Sequence, residues 1–363
     1  MRILLLILLL FPSLSMAAGP EKVATLDRNL WPYPIENNKD FNYASANEIL
    51  SFVRVFEKTK LNTEAKITAF TGISNINLQS VEKWHLEIRQ KLQQNYQNAC
   101  DNCTLDNWDD LVEKSRVQLP AELAAWALAS ERFYLRYLYE QARLATLFPR
   151  ITSEIDSLDS AREITGSEFK DGSFLLTYDD GPSVNTVKNN IRTNHTQSLT
   201  DALRELNIHA TFFVLGERLV SSKPPKNMYD EQCLGSHGYQ HKSHQKWDEW
   251  GTSLKMTRSA LAEYQNAPYW FRPPYGQRHL NLIESLKEHN EKVMLWNIDS
   301  QDWNRKLTDQ DVQDRVITLM LFWRKGIILY HDIYAKALNN LPQLQTLSSK
   351  AELTWTDCRL LPQ

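Results

Sequence analysis

The chain has 363 residues, of which 44 are acidic and 41 are Lys or Arg, so its formal net charge is -3 at neutral pH. This balance gives no basic field for a nucleic-acid partner, and no later stretch reaches the roughly 18 apolar residues of a membrane span. We therefore expect no nucleic-acid partner and no transmembrane segment, and the sequence says nothing about protein partners.

The chain begins "MRILLLILLLFPSLSMAAG", with one positive charge at Arg2, an apolar run over residues 3–11, and small residues at Ser15 and Ala17. This pattern is typical of a secretory signal, so we predict a signal peptide at residues 1–17 and a periplasmic or secreted protein. A buried N-terminal strand or helix is less favoured, because no apolar pattern of the same period continues after this run. About 345 residues would remain, with charge -4 after loss of Arg2, and this length predicts two units.

Four cysteines in an exported chain predict disulfides, and three pairings are possible. We favour Cys100 with Cys103 and Cys233 with Cys358, the second of which would fix the C-terminus to the body. The C-x-x-C pair could instead be a redox pair or half of a zinc site. Neither a βαβ context nor a second C-x-x-C surrounds it, so a structural role is favoured.

Residues 18–165 are predicted to be a helical region. Apolar residues recur at helical spacing around residues 49–56 and 78–96, and a third helix is predicted from Pro120 to about Leu147. The region has no cluster of His, Asp or Cys with ligand spacing. Its aromatic residues favour a core, although "WPYP" at 31–34 could stack on a sugar ring, and the role of the region stays open.

Residues 166–363 show a different period after a polar stretch at 160–172. Short apolar runs at 174–177, 210–215, 293–298 and 326–330 alternate with helical patterns at 198–207, 252–265, 280–289 and 309–323. Strands separated by helices predict an α/β domain with a parallel sheet, which could close into a barrel. In such folds the strand ends carry the chemistry.

Reactive side chains follow the predicted strands. They are Asp179 and Asp180 in "TYDDGP", His237 and His241 in "SHGYQH", Arg272 in "FRPPYG", Asp299 and Asp302 in "NIDSQDW", and His331 in "LYHD". Together they supply a base, an acid and ligands for a Lewis acid, which is the set needed for metal-assisted hydrolysis.

His237 and His241 are four residues apart, a spacing that would place them on one face of a helical turn and let them share a metal. A carboxylate from another strand end would complete a set of two His and one Asp. His244 could compete as a ligand, but we assign it to the rim. The Asp pair could also be an ordinary turn or cap, but a turn needs only one Asp.

These motifs, in this order, resemble the polysaccharide deacetylase domain, also called the NodB-homology or carbohydrate esterase family 4 domain. "TYDDGP", "HGYQH", "RPPYG", "DSQDW" and "LYH" are similar to its five motifs, and "HATFFVLG" to its second core strand. The resemblance covers residues 173 to about 345, and it implies a distorted (β/α)7 barrel that acts on an acetylated polysaccharide.

The resemblance also implies the role of each residue. Asp180, His237 and His241 would bind one divalent metal, most often zinc, with Co²⁺, Ni²⁺, Mn²⁺ or Fe²⁺ as alternatives. Asp179 would be the general base, oriented by Arg272, and His331 the general acid. We assign the tuning of that acid to Asp302 and keep Asp299 in reserve. Trp303 and Leu329 would line the acetyl pocket, and the Tyr275 N–H would help to hold the oxyanion.

Two segments differ from the family pattern. Residues 183–198 look longer than usual, and residues 221–236 carry two prolines and a cysteine where a regular helix is usual. Both lie beside the predicted cleft, so the substrate stays open. N-deacetylation of N-acetylglucosamine-type sugars is favoured over O-deacetylation of a glycan such as xylan. A third hypothesis is that the protein binds a glycan and is inactive as an enzyme.

Overall fold

The computed structural model describes residues 23–100, 103, 105–188, 191–264 and 269–361. The predicted signal peptide at residues 1–17 lies outside this part of the chain. The α-helices are α1 Asn38–Thr59, α2 Glu64–Thr71, α3 Leu78–Ala99, α4 Trp108–Ser115, α5 Ala124–Leu147, α6 His195–Glu205, α7 Gly216–Ser222, α8 Trp250–Leu261, α9 Leu280–Lys287, α10 Asp309–Trp323 and α11 Ala335–Lys350.

The first five helices form the predicted N-terminal helical region. The α1 helix begins where the Asn37 side chain accepts a hydrogen bond from the Asp40 N–H, a standard N-cap. Its apolar face, which includes Ile49, Phe52 and Val53, is fully buried. The α1 helix packs against α3, α4 and α5. Helices α2 and α4 were not predicted, because eight residues give little periodic signal.

The strands are β1 Glu163–Ile164, β2 Ser173–Asp179, β3 Thr186–Lys188, β4 Ile191–Thr193, β5 Thr211–Val214, β6 Cys233–Ser236, β7 Trp270–Phe271, β8 Lys292–Met294, β9 Ile298–Asp299, β10 Gly326–His331 and β11 Thr354–Trp355. Nine of them form one parallel sheet with the order β1-β8-β7-β6-β5-β2-β10-β9, and β11 pairs with β2. The α/β fold predicted from the sequence, a distorted barrel after a helical region, is confirmed.

The predicted strand at residues 293–298 was wrong in one respect, because the chain forms two strands there. The β8 strand pairs with β7, whereas β9 pairs with β10 at the other end of the sheet order. Residues 295–297 join them, so the chain passes here from one side of the strand order to the other. This crossing is the distortion in the barrel, and it carries the chain directly into "DSQDW".

Side chains on β2 alternate between the two faces of the sheet, as the period of a strand requires. Phe174, Leu176 and Tyr178 belong to the large core that includes the helices, whereas Leu175 belongs to the interior cluster with Phe213 and Trp270. Asp179 has the same parity as Leu175, so the strand delivers its carboxylate on the interior face at the carboxyl end of the sheet.

The helical region and the barrel share one apolar core. On α10, Phe322 is fully buried, and its ring lies 4.9 Å from Phe52 and 5.4 Å from Tyr134 between ring centroids. A buried ion pair also crosses this boundary, because Arg315 on α10 contacts Glu140 on α5 at 2.7 Å. The division of the chain at residues 165 and 166 into separate units stays a prediction.

The structure contains both disulfides that the sequence analysis favoured. Cys100 is bonded to Cys103, and Cys233 at the start of β6 is bonded to Cys358 near the C-terminus. Within the described ranges, no helix is both long enough and apolar enough for a membrane crossing.

Candidate active site

The aspartate pair lies where β2 ends. Asp179 is the last residue of the strand and is 2% exposed, whereas Asp180 has a positive φ of 75° that turns its side chain away from the strand. Gly181 follows, and a Cβ there would collide with the Asp332 carboxylate. The backbone of Asp180 therefore separates the two carboxylates, and the Asp332 carboxylate leaves room only for glycine at position 181.

Arg272 holds the first carboxylate. Its guanidinium is fully buried and donates from Nη1 to Asp179 Oδ1 at 2.8 Å and to Thr177 Oγ1 at 2.7 Å. Its Nε and Nη2 donate to the carbonyls of Met294 and Leu295. Burial raises the pKa of Asp179, and the neighbouring Arg272 opposes this. The guanidinium therefore fixes one carboxylate oxygen and leaves Oδ2 free of it.

The second carboxylate faces two imidazoles. Asp180 Oδ1 lies 3.5 Å from His237 Nε2 and 3.6 Å from His241 Nε2. His237 follows β6, and both histidines lie in the loop after that strand, so the prediction of a helical turn was wrong. The loop nevertheless brings the two ring centroids to 5.2 Å.

This group has the properties of a site for a divalent metal. One ligand atom from each of Asp180, His237 and His241 lies within 4.8 Å of the others. Asp180 Oδ1 is buried and makes no hydrogen bond with the described residues, which is costly for a carboxylate oxygen unless a cation binds it. The Nδ1 of His237 lies 2.7 Å from the Arg272 carbonyl, so it carries the proton and Nε2 keeps its lone pair. The residues fit a zinc-type site with open positions.

His331 and Asp302 form the candidate acid. His331 Nδ1 lies 2.7 Å from Asp302 Oδ1, and its backbone N–H donates to Oδ2 at 2.9 Å. Burial alone would lower the pKa of His331, but Asp302, followed by Asp180 and Asp179, raises it to about 10. The structure thus brings Asp302 to the histidine, whereas Asp299 accepts hydrogen bonds from Gln301.

The three residues assigned to the acetyl pocket and oxyanion line one cavity with the carboxylates. Leu329 is 4% exposed, Trp303 is 38% exposed, and Tyr275 has a φ of 61° in the third motif. The Tyr275 ring lies 4.5 Å from the His241 ring. The cavity has a volume of about 540 Å³, and it extends beyond these residues towards α3 and α5.

His244 is not a rim residue, and that assignment was wrong. Its side chain is fully buried, with Nδ1 2.8 Å from the Lys242 carbonyl and Nε2 2.9 Å from Ser253 Oγ. Both ring nitrogens are therefore occupied, and the ring supports the loop that carries His237 and His241.

Sequence reasoning missed two residues beside the pair. Thr177 accepts from Arg272 and donates to the Ile328 carbonyl at 2.7 Å. Asp332 accepts from Thr196 at 2.8 Å, and burial, together with repulsion from Asp180, raises its pKa to about 7. Both stand inside quoted motifs, Thr177 in "TYDDGP" and Asp332 in "LYHD", so position in the motif was the available signal.

A family model and curated relatives both match this chain, and both belong to deacetylases that act on polysaccharides. Residues 166–294 match the family model described as "Polysaccharide deacetylase". A peptidoglycan-N-acetylglucosamine deacetylase of Bacillus cereus is 33% identical over 135 residues, which cover 35% of this chain and 45% of that protein. Chitin deacetylase 2 of Saccharomyces cerevisiae is 26% identical over 199 residues, which cover 50% of this chain and 57% of that protein.

A solved structure of a peptidoglycan N-acetylglucosamine deacetylase matches with 24% identity and a TM-score of 0.47, covering 54% of this chain and 90% of that one. This chain spans about half the length of the two curated relatives. The matched residues contain the first three motifs, "TYDDGP", "HGYQH" and "RPPYG". The family match and the curated relatives agree, and the chain therefore carries a domain of the polysaccharide deacetylase family.

Proposed function

We propose that the protein is a metal-dependent hydrolase that removes acetyl groups from a polysaccharide, acting on N-acetylglucosamine-type sugars. The observation that carries this proposal is that three sets of interacting side chains lie at one cavity. They are Asp179 with Arg272, Asp180 with the two histidines, and His331 with Asp302. The named substrates of the curated relatives, peptidoglycan and chitin, support the choice of sugar.

Asp180, His237 and His241 would hold the metal. When bound there, a divalent ion such as zinc supplies Lewis acidity, which makes water more acidic and polarises an acetyl carbonyl. The donor set leaves room for both water and substrate.

Asp179 is the proposed general base. Arg272 binds Oδ1, so Oδ2 takes the proton of the attacking water as the new carbon–oxygen bond forms. The N–H of Tyr275 helps to hold the oxyanion, and Leu329 and Trp303 contact the acetyl methyl group.

His331 is the proposed general acid. Its Nδ1 is held by Asp302, so Nε2 points away from the carboxylate and carries the proton that reaches the leaving amine. The carbon–nitrogen bond breaks, and the products are acetate and a free amino sugar. Return of the proton from Asp179 to His331 restores the site.

The test is acetate release by the purified protein with added zinc. The substrates are chitin oligomers, poly-N-acetylglucosamine, peptidoglycan and acetylated xylan. We expect release from an N-acetylated glycan that stops with chelator and returns with metal. Release from xylan alone would indicate an O-acetyl esterase, and no release together with no bound metal would favour an inactive glycan-binding protein.

The location is also a proposal. Two disulfides and the predicted signal at residues 1–17 support export to the periplasm or the medium. Fractionation of cells that express the full chain would check this, and recovery of the protein with its N-terminal residues in the cytoplasm would contradict it.

A further inference from the structure

The cavity at the candidate active site has a second wall that the barrel does not provide. Ile88 and Lys91 on α3 and Gln141 on α5 line it together with the catalytic carboxylates. The connecting segment at residues 154–157 lines it as well. All of these residues lie before the matched family region, which begins at residue 166. Residues outside the matched family region therefore contribute a wall to this cavity.

Two carboxylates of the added wall, Glu140 and Glu154, line the cavity together with Asp299 of the barrel, and we call these three residues the acidic patch. Glu140 is paired with Arg315 at 2.7 Å. Among the described residues, no Lys or Arg makes a salt bridge with Glu154 or Asp299. The patch therefore carries more negative than positive charge when its members are ionised.

Two residues that line the same cavity each carry an unpartnered polar group. Gln301 is 5% exposed and Trp296 is 7% exposed, and both residues line the cavity. Gln301 Oε1 and Trp296 Nε1 are buried, and neither has a hydrogen-bond partner among the described residues. An unmade buried hydrogen bond is costly, so each of these atoms would gain from a polar ligand that reached it.

Glu154 is held in position by its own segment. Arg278 donates to the carbonyls of Ser153 and Asp156, on either side of it, at 2.7 Å and 2.9 Å. The same guanidinium pairs with Glu163 of β1 at 2.6 Å. Gly276 of the third motif packs against the Glu154 backbone, where a Cβ would lie 3.2 Å from the nitrogen. The carboxylate is thus placed on the cavity wall by a rigid support.

The protonation of Glu154 is consistent with a missing cation. Burial raises its pKa to about 8, with further contributions from Asp299 and Glu140, while its own backbone N–H and Arg278 act in the opposite direction. A positive charge placed between Glu154 and Asp299 would relieve this repulsion. A divalent metal is not indicated, since the described residues contain one group suited to a metal, and it is at Asp180.

The patch lies close to the proposed chemistry. Asp299 pairs in register with Leu329, which is two residues before His331. That separation is about 7 Å along the strand. A sugar linked to the one being deacetylated could therefore reach Asp299, the member of the patch on the barrel.

We propose that the acidic patch is a subsite for a sugar residue whose amino group is already free and protonated. The ammonium would donate to Glu154 and to Gln301 Oε1, and Trp296 Nε1 would donate to a sugar hydroxyl. This inference rests on the proposed function, and it makes a partially deacetylated glycan the preferred substrate class.

The test measures binding and needs no turnover. Calorimetry with zinc-loaded Asp179→Asn protein, in which the N-acetylglucosamine tetramer is not consumed during the titration, would compare a tetramer of glucosamine with a tetramer of N-acetylglucosamine. We expect this protein to bind the glucosamine tetramer more tightly, and Glu154→Gln added to it to weaken that binding by about 10-fold, as loss of a hydrogen bond to a charged group predicts. Equal binding of both tetramers by the Asp179→Asn protein would overturn the proposal.

The matched control is Glu87→Gln. Glu87 also lines the cavity, but it lies within 3.7 Å of Lys83 and 3.9 Å of Lys91, so its charge is already compensated. Its replacement should leave binding of the glucosamine tetramer unchanged, and an equal loss in both variants would contradict a specific role for Glu154. Lysine amide serves as a control ligand that has an amine but no sugar. If it bound as tightly as the glucosamine tetramer, the result would contradict a sugar subsite.

The two proposals fail differently. If the protein releases no acetate from any glycan but binds the glucosamine tetramer through Glu154, the proposed function fails and the subsite stands. If acetate is released and the two tetramers bind equally, the subsite fails and the proposed function stands.

Discussion

At the scale of single residues, the central feature is the different surroundings of two neighbouring aspartates. Asp179 is bound by Arg272, and Asp180 faces His237 and His241. Charge and spacing in the sequence allow either order within the pair, and only the family resemblance chose one. The structure supplies a physical reason, because the positive φ of Asp180 directs the second side chain away from the guanidinium.

Asp302→Asn should move the alkaline limit of activity to lower pH. Asp302, followed by Asp180 and Asp179, raises the pKa of His331 to about 10, so the protonated acid is present below that pH and is lost as the pH rises through it. Without the negative charge the pKa falls, and activity should be lost at lower pH than in the unaltered protein. A kcat profile against pH checks this, and an unmoved alkaline limb would contradict the pairing.

Some residues in the cavity gave no signal in the sequence. Glu154 stands in an irregular segment with no motif, and its position depends on Arg278, 124 residues later in the chain. The histidine pair was found from its spacing, but the reason offered was wrong, since a loop and not a helical turn brings the rings together. The spacing still identified the two histidines, because both a helical turn and a loop can bring side chains four residues apart in sequence to the same side of the chain.

At the scale of elements, the third-motif loop depends on a buried ion pair. Arg278 and Glu163 are both fully buried at their side chains, and the guanidinium also holds the segment that carries Glu154. This contact joins β1, the connecting segment and the loop of Tyr275. The sequence indicated none of it, because a long-range ion pair leaves no local pattern.

Arg278→Met should destabilise the fold by about 3–5 kcal/mol, because it leaves Glu163 buried without its partner. Denaturant unfolding measures the change. The control is Arg116→Met, whose partner Glu113 is exposed, as is Arg116, and which should cost at most about 1 kcal/mol. A loss for Arg278→Met no larger than that of the control would show that the buried pair does not fix this loop.

The length of the strands near the site explains which of them could be predicted from the sequence. The long apolar runs of β2, β5 and β10 were recognised, whereas β1, β7 and β9 have two residues each and were missed or merged. Short strands depend on pairing with distant neighbours, so their own residues do not determine them. The crossing at residues 295–297 depends on the pairing of β8 and β9 with distant strands for the same reason.

At the scale of the whole molecule, the helical region and the barrel are coupled. Periodicity predicted the two kinds of structure, but it could not predict that Phe322 packs against Phe52 and Tyr134, because such contacts are set by tertiary docking. The same docking builds the added wall of the cavity. The helical region is therefore part of the candidate site in this structure.

A fragment of residues 166–363 should not fold cooperatively. It lacks β1 and the helices that bury Phe322, and it leaves Arg315 without Glu140. Exposure of a large aromatic surface and of an unpaired buried charge should each destabilise it. Near-ultraviolet circular dichroism with thermal unfolding tests this, and a sharp transition in the fragment, with acetate release equal to that of the full chain, would contradict the coupling.

The most direct test of the proposed roles of Asp179 as base and Asp180 as metal ligand is acetate release by Asp179→Asn. The zinc content is measured on the same sample. We expect about one zinc per chain, as in the unaltered protein, with kcat lowered by about 10²- to 10⁴-fold, because the metal ligands remain and the base is lost. Asp180→Asn, the matched change next to it, should instead lose zinc. Substantial acetate release by Asp179→Asn with zinc bound would contradict the assignment of Asp179 as the base.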